Sequence, residues 1–162
     1  MRRVLLAFTV SLLLAAPLAA SDITVQSVID AMNVSRGRHA LPLLREDSRL
    51  DKAANDRIAD MEDFAYWAHE SPDGRSPFTW LRPAGYDYRT AGENLAAGFE
   101  TTQLLMQSWM ESAGHRANIL SPEYEDCGVA VIDGSTRGRA TGKSIIVLFG
   151  RAKSAAMATA TK

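Results

Sequence analysis

The spacing of apolar residues changes once along this chain, and that change restricts what it can fold into. Through the first two thirds, apolar side chains recur every three to four positions; in the last third they gather into β-rich runs. Residues 22–38 carry Val25, Val28, Ile29 and Met32 at the i, i+3, i+4, i+7 spacing of a helix with one buried face, with Gly37 marking its end. Leu41-Pro42-Leu43-Leu44 is an apolar linker, extended around Pro42. Asp47 or Ser48 caps a second helix. Leu50, Ala53, Ala54, Ile58, Met61 and Phe64 or Ala65 form its apolar stripe, and charged residues fill its other face. Ser71-Pro72-Asp73-Gly74 is a turn, and Ser76-Pro77 opens a short helix through Leu81. Residues 92–98 read as a loop entering a short strand over 94–98. Thr101 or Thr102 caps a third long helix with Leu104, Leu105, Ser108 and Trp109 facing inward, broken by Gly114, and 115–120 resume a turn of helix. Residues 127–132 and 144–149 are two antiparallel strands joined by the Gly-, Ser-, Thr- and Arg-rich stretch 133–143.

Helices followed by strands is an α+β order. A two-stranded ribbon is marginal on its own, so residues 94–98 supply a third strand. The expected architecture is a three-layer α-β-α sandwich around a small antiparallel sheet.

The first twenty residues read as a removable secretory signal: Arg2-Arg3, an apolar run from Val4 to Leu14, and a small-residue stretch ending at Ala20. The run is shorter than the roughly 20 residues that span a bilayer, so no transmembrane segment is expected after cleavage. The expected domain covers 22–151, and 152–162 form a disordered tail. The full chain holds 18 basic and 19 acidic residues; losing Arg2 and Arg3 leaves 16 against 19. That mild acidity, without charge blocks, argues against nucleic acid as a partner; with the signal segment, the expectation is a secreted protein, periplasmic or extracellular, and a monomer. Cys127 is the only cysteine. No intrachain disulfide can form, so the domain must be held by its core, with Cys127 as a small buried residue.

Three histidines are present. His39, in a basic polar stretch, reads as a surface residue. His69 precedes a tight turn and His115 follows Gly114, both at ends of elements where side chains can reach a cleft. Glu93 lies between Gly92 and Asn94, where a carboxylate can turn inward. Two imidazoles and a carboxylate can bind zinc, or serve as general base and orienting partner. Glu111 stands four residues before His115, a shared helical face if no break intervenes. Ser112 lacks the sequence of a nucleophile elbow.

Four stretches together resemble the CAP superfamily of cysteine-rich secretory, antigen 5 and pathogenesis-related proteins, in its bacterial SCP-like branch. They are Asn33-x-x-Arg36 with Leu41-Pro42-Leu43; Leu50-x-x-Ala53-Ala54 through Met61; His69-x-Ser71-Pro72-Asp73-Gly74 with Gly85-Tyr86 and Gly92-Glu93-Asn94-Leu95-Ala96; and Trp109-Met110-x-Ser112-x-Gly114-His115-Arg116-x-Asn118-Ile119-Leu120 with Tyr124 and Gly128-Val129. The resemblance implies an α-β-α sandwich whose cleft is lined by His69, Glu93, Asn94, Glu111, Ser112 and His115. It implies a divalent cation, zinc foremost, on His69, His115 and Glu93. The family's second glutamate falls on Ser112 here, with Glu111 one residue early, a shift that turns a helical side chain by about 100°. Two functions follow from the resemblance. One is a non-enzymatic module holding a small-molecule, lipid or protein ligand in the cleft. The alternative is a peptidase-like, metal-dependent hydrolase with zinc on His69 and His115 and Glu93 as ligand or base. No residue is assigned a catalytic role.

Overall fold

The computed structural model describes residues 22–134 and 141–153. The expected signal segment 1–20, residues 154–162 of the expected tail and the middle of the 133–143 connection lie outside the described residues. Helix α1 (Val25–Arg38), strand β1 (Arg45–Glu46), helix α2 (Ser48–Asp63), a 3₁₀ turn (Pro77–Trp80), strand β2 (Tyr88–Phe99), helices α3 (Thr102–Glu111) and α4 (Ala113–Ile119), and strands β3 (Asp126–Asp133) and β4 (Lys143–Ala152) follow in chain order.

The sheet runs β1-β3-β4-β2. β4 lies inside it, and its alternation divides the core in two. Ile145, Val147 and Phe149 meet α1, α3 and α4 on one face; Ile146 and Leu148 meet α2 and Leu81 on the other. The expected three layers are therefore observed. β2–β4 and β3–β4 pair antiparallel, but β1 lies parallel to β3, Arg45 opposite Asp126 and Glu46 opposite Cys127. The sheet is thus mixed rather than wholly antiparallel. The cause is the grip on the Pro42 linker. Asn33 donates to the Leu44 carbonyl at 3.0 Å and accepts from its N–H at 2.8 Å. Arg36 is fully buried and donates to the carbonyls of Pro42, Ile119, Ser121 and Tyr124. Held at both points, the extended linker comes to lie along β3.

Capping follows the sequence. Thr24 and Ser27 form a capping box on α1, Asp47 caps α2 and Thr101 caps α3. Other details differ. α1 continues past Gly37 to Arg38. The inward stripe of α3 is Thr102, Leu105, Met106 and Trp109, while Leu104 is 53% exposed and Ser108 faces solvent. That stripe keeps the i, i+3, i+4, i+7 spacing with Thr102 as its first member. Phe64 is exposed because α2 stops at Asp63 and Ala65 reverses the chain with φ of 51°. Ala152 still pairs with Tyr88, so the described fold runs past the expected boundary at 151. Cys127 is buried, as expected, and burial pushes its thiol up to about 12. His39 is exposed, as expected. Among the described residues, no helix is long and apolar enough to cross a membrane.

α2 rests directly on β3 at Gly128, where an added Cβ would lie 2.2 Å from the Leu50 carbonyl carbon. At Gly114, on α4, an added Cβ meets nothing within 4 Å. Gly128→Ala is expected to cost at least about 2 kcal/mol through backbone displacement. Gly114→Ala is expected to add about 0.5–1 kcal/mol of helix stability. Urea denaturation reads both; a Gly128→Ala protein as stable as the parent would refute the close α2–β3 contact.

Candidate functional site

The site is built at the outer edge of β2, where the two helical layers approach one strand. β2 has Glu93 near its centre and spans twelve residues, so Glu93 is a strand residue and not part of a tight loop. Alternation sends Ala91 and Leu95 into the α2-side core and Ala96 into the other. Glu93 therefore faces α2, and Asn94 faces α3 and α4. Both are buried.

On the α2 side Glu93 meets Arg57, which sits on the inward stripe of α2, four residues after Ala53 and four before Met61. Their side chains are 2% and 0% exposed. Arg57 Nε donates to Glu93 Oε2. Its Nη2 donates to the carbonyls of Ala68 and His69 at 2.8 and 2.7 Å, and its Nη1 to the Tyr66 hydroxyl at 3.3 Å. Trp80 lies under the same guanidinium at 4.9 Å, with Arg75 at 5.0 Å from the same ring. Tyr66 donates to Asp60 and shares a hydrogen bond with Ser71; Arg75 pairs with Asp60 and Asp73. The turn after His69 closes through Gly74 N–H to the Ser71 carbonyl, with Gly74 at φ of 82°. The His69-x-Ser71-Pro72-Asp73-Gly74 stretch is thus anchored to α2 through Arg57 and Tyr66. The result is a fixed imidazole whose Nδ1 bonds Glu93 Oε1 at 2.8 Å, although the His69 side chain is 60% exposed.

On the other side, three side chains cap carbonyls of the open β2 edge at two-residue intervals. Tyr124 donates to Ala91, Asn118 to Glu93 and Trp109 to Leu95. In an antiparallel pair alternate residues turn their backbone groups away from the partner strand, so these donors cover acceptors that β4 cannot reach. Asn118 also donates to Asn94 Oδ1, and Asn94 donates to the His115 carbonyl at 3.2 Å. These bonds hold the start of α4, and with it His115, against β2. The His115 ring lies 6.2 Å from that of Trp109, and its buried Nδ1 has no hydrogen-bond partner.

The other expected residues fall differently. The helix breaks at Ser112, which ends α3 and begins α4, and not at Gly114; the Ser112 hydroxyl makes no capping bond. Glu111 is exposed, accepts from Gln107 at 3.0 Å, and lines a separate hollow of about 400 Å³ with Gly98, Phe99 and Leu104. Arg57 is absent from the sequence expectation, and Asn118 figures there only within the fourth stretch and not among the cleft residues. Arg57 carried a signal: a charge in phase with the apolar stripe of its helix.

The environments of the two histidines diverge. The hydrogen bond to Glu93 raises the His69 pKa above the ordinary 6.5, against burial and the nearby Arg57. Burial, then the proximity of His69, lowers that of His115. Glu93 does not fit this arrangement as a direct metal ligand beside His69 and His115. Both of its oxygens are engaged, one by Arg57 and one by His69 Nδ1, a bond that leaves His69 Nε2 free. Among the described residues, no group of three or more His, Cys, Asp and Glu side chains is placed to hold a metal ion.

Residues 29–148 match the family model for the cysteine-rich secretory protein family, CAP. The chain is 38% identical over 108 residues to Bacillus subtilis YkwD, covering 67% of this chain and 42% of that protein. It is 30% identical over 106 residues to the Bacillus subtilis membrane protein YlbC, covering 65% and 31%. It therefore spans less than half of either relative. Among solved structures it is similar to an extracellular SCP-domain protein of Bacillus anthracis, at TM-score 0.66 and 31% identity, over 78% of this chain and 40% of that one. It shares the fold of a Borrelia burgdorferi outer surface protein, at TM-score 0.69 and 18% identity, over 83% and 99%.

NMR titration of the imidazoles is expected to show His69 titrating above 6.5 and His115 below it. A raised value in the folded state stabilises on the acid side. The contribution of His69 is full below 6.5 and fades as pH rises through its folded value. That of His115 is present above 6.5 and is lost as pH falls through its lowered value. Glu93→Gln should bring His69 back toward the ordinary range; His115 titrating above His69 would contradict the geometry.

Proposed function

The chain belongs to the cysteine-rich secretory protein family, CAP, and from that premise we propose that it is an exported binding module. It takes a small-molecule, lipid or protein ligand at the β2 edge between His69 and His115. The observation that carries this reading is that each helical layer delivers one imidazole to the same edge, with ring nitrogens unspent on the protein. His69 is held through Nδ1 alone with its side chain 60% exposed, and beside it His115 keeps a buried Nδ1 without a partner. A polar group fixed by buried partners and left open on its outer side is the usual construction of a recognition point. The hydrolase alternative gains nothing from the geometry, since Glu93, its intended ligand or base, is engaged by Arg57 and His69.

A lipid ligand has support of its own. It lies at a second place, away from the β2 edge: a groove of about 640 Å³ between α1 and α3, lined by Ala31, Val34, Met106 and Met110 together with polar residues such as Asp30, Arg38 and Gln103, where Val34 is 54% exposed. Export rests on the basic start and apolar run of the first twenty residues, and on relatives described as extracellular and outer-surface proteins.

Backbone NMR of the mature protein against a fragment library that includes a long-chain fatty acid tests the binding site. Polar hits are expected to cluster at His69, Glu93 and His115 and to vanish in the His69→Ala/His115→Ala double variant with its melting temperature nearly unchanged. Fatty-acid shifts are expected at Val34, Met106 and Met110. Polar hits that scatter, or that survive the double variant, would sink the edge-site reading. For export, N-terminal sequencing of protein recovered outside the cytoplasm should begin at Ser21; protein retained in the cytoplasm with its first twenty residues would refute it.

A further inference from the structure

Arg57 reaches His69 by two routes. Its Nη2 holds the His69 carbonyl at 2.7 Å and the preceding Ala68 carbonyl at 2.8 Å. Its Nε holds the Glu93 carboxylate that bonds the His69 ring. Backbone and side chain of one histidine are thus referred to a single planar fork. The fork itself is fixed by complete burial, by the Tyr66 hydroxyl and by the face of Trp80. A carboxylate paired with a guanidinium is an acceptor, so the imidazole nitrogen that meets it must carry the proton. A neutral imidazole has one proton to place, and placing it on Nδ1 leaves Nε2 bare. His69 Nε2 makes no bond within the described residues, and the side chain is 60% exposed.

We propose that Arg57, through Glu93 and the His69 backbone, locks neutral His69 as the Nδ1–H tautomer and so makes its outer nitrogen a hydrogen-bond acceptor, selecting ligands that present an N–H or O–H group. Arg57 acts here as a positioning residue and touches no ligand. The choice of ligand group rests on the edge-site reading above; the tautomer does not.

The experiment is ring ¹⁵N–¹H correlation on the ¹⁵N-histidine-labelled mature protein, at a pH where the imidazoles are neutral. In the parent protein His69 is expected as pure Nδ1–H tautomer. In Arg57→Met the buried Glu93 loses its counter-charge, takes up a proton and donates it to Nδ1, so His69 should move to the Nε2–H form or to a mixture; Arg57→Lys, which keeps the charge but not the fork, should restore the Nδ1–H form in part. A change in folding stability alone would not move this signature. An Nε2–H tautomer in the parent overturns the proposal, and so does an unchanged Nδ1–H tautomer in folded Arg57→Met. If Arg57→Met does not fold, the parent spectrum and Arg57→Lys decide. The ligand class is read by titrating acetamide, which carries N–H donors, against N,N-dimethylacetamide, which carries none. Acetamide is expected to shift His69 Nε2 at least tenfold more strongly. Equal shifts overturn the donor preference; no shift with either amide overturns that preference together with the edge-site reading, while the tautomer result still judges Arg57 on its own.

Discussion

The guanidinium of Arg57 and the carboxylate of Glu93 meet in the interior with 0% and 2% of their side chains exposed. Removing one partner of such a pair typically costs about 3–5 kcal/mol, because the other is left charged and buried. The pair joins α2 to β2, and its remaining donors hold the chain at Ala68 and His69. It therefore ties together the helix that covers one sheet face, the strand that forms the sheet edge and the turn that carries the first histidine. It also explains why Glu93 orients an imidazole: its counter-charge is supplied from inside the chain, by Arg57.

The second histidine depends on a different constraint. β2 ends the sheet, and an uncovered edge leaves carbonyls without partners and invites pairing with other chains. Tyr124, Asn118 and Trp109 cover this edge at Ala91, Glu93 and Leu95. Those donors belong to α3, α4 and the segment after them, so closing the edge and delivering His115 are one event. Asn118 links the two halves of the site, since the residue whose carbonyl it holds is the one whose carboxylate holds His69. Arg36 completes the arrangement from α1 by binding carbonyls at the end of α4 and in the following turn.

Much of this was legible in the sequence, and the misses share a cause. Helical spacing located α1 and α2, and the β-rich runs located β3 and β4, because one-sided burial imposes a period on the chain. Leu104 was expected inside and lies outside, while Thr102 is buried; hydrophobicity ranked the two residues correctly, but the phase of a helix against its neighbours is a tertiary property. Gly114 looked like a helix break and lies within α4, because the chain bends one turn earlier at Ser112. Glu93 looked like a loop residue because glycine and asparagine flank it. In the sheet Gly92 leaves room for Tyr124, whose hydroxyl would lie 2.5 Å from an added Cβ, and Asn94 braces α4.

The sequence by itself determined the α+β order, the two-faced core, the absence of disulfide staples and the identity of His69, Glu93 and His115 as residues set among turn- and cap-forming neighbours. Each of these follows from local patterning or from residue count. Only the tertiary structure decided what those three side chains can do. Glu93 became an oriented, charge-compensated acceptor because Arg57, 36 positions away, reaches it across the core. His115 kept a buried, unpartnered ring nitrogen while its carbonyl took the Asn94 amide. Glu111 fell outside the site because it lies on the exposed face of α3 with Leu104 and Gln107, off the Thr102-Leu105-Met106-Trp109 stripe. These outcomes depend on which long-range donors win each buried acceptor, a competition settled by packing and not written in the spacing of the chain.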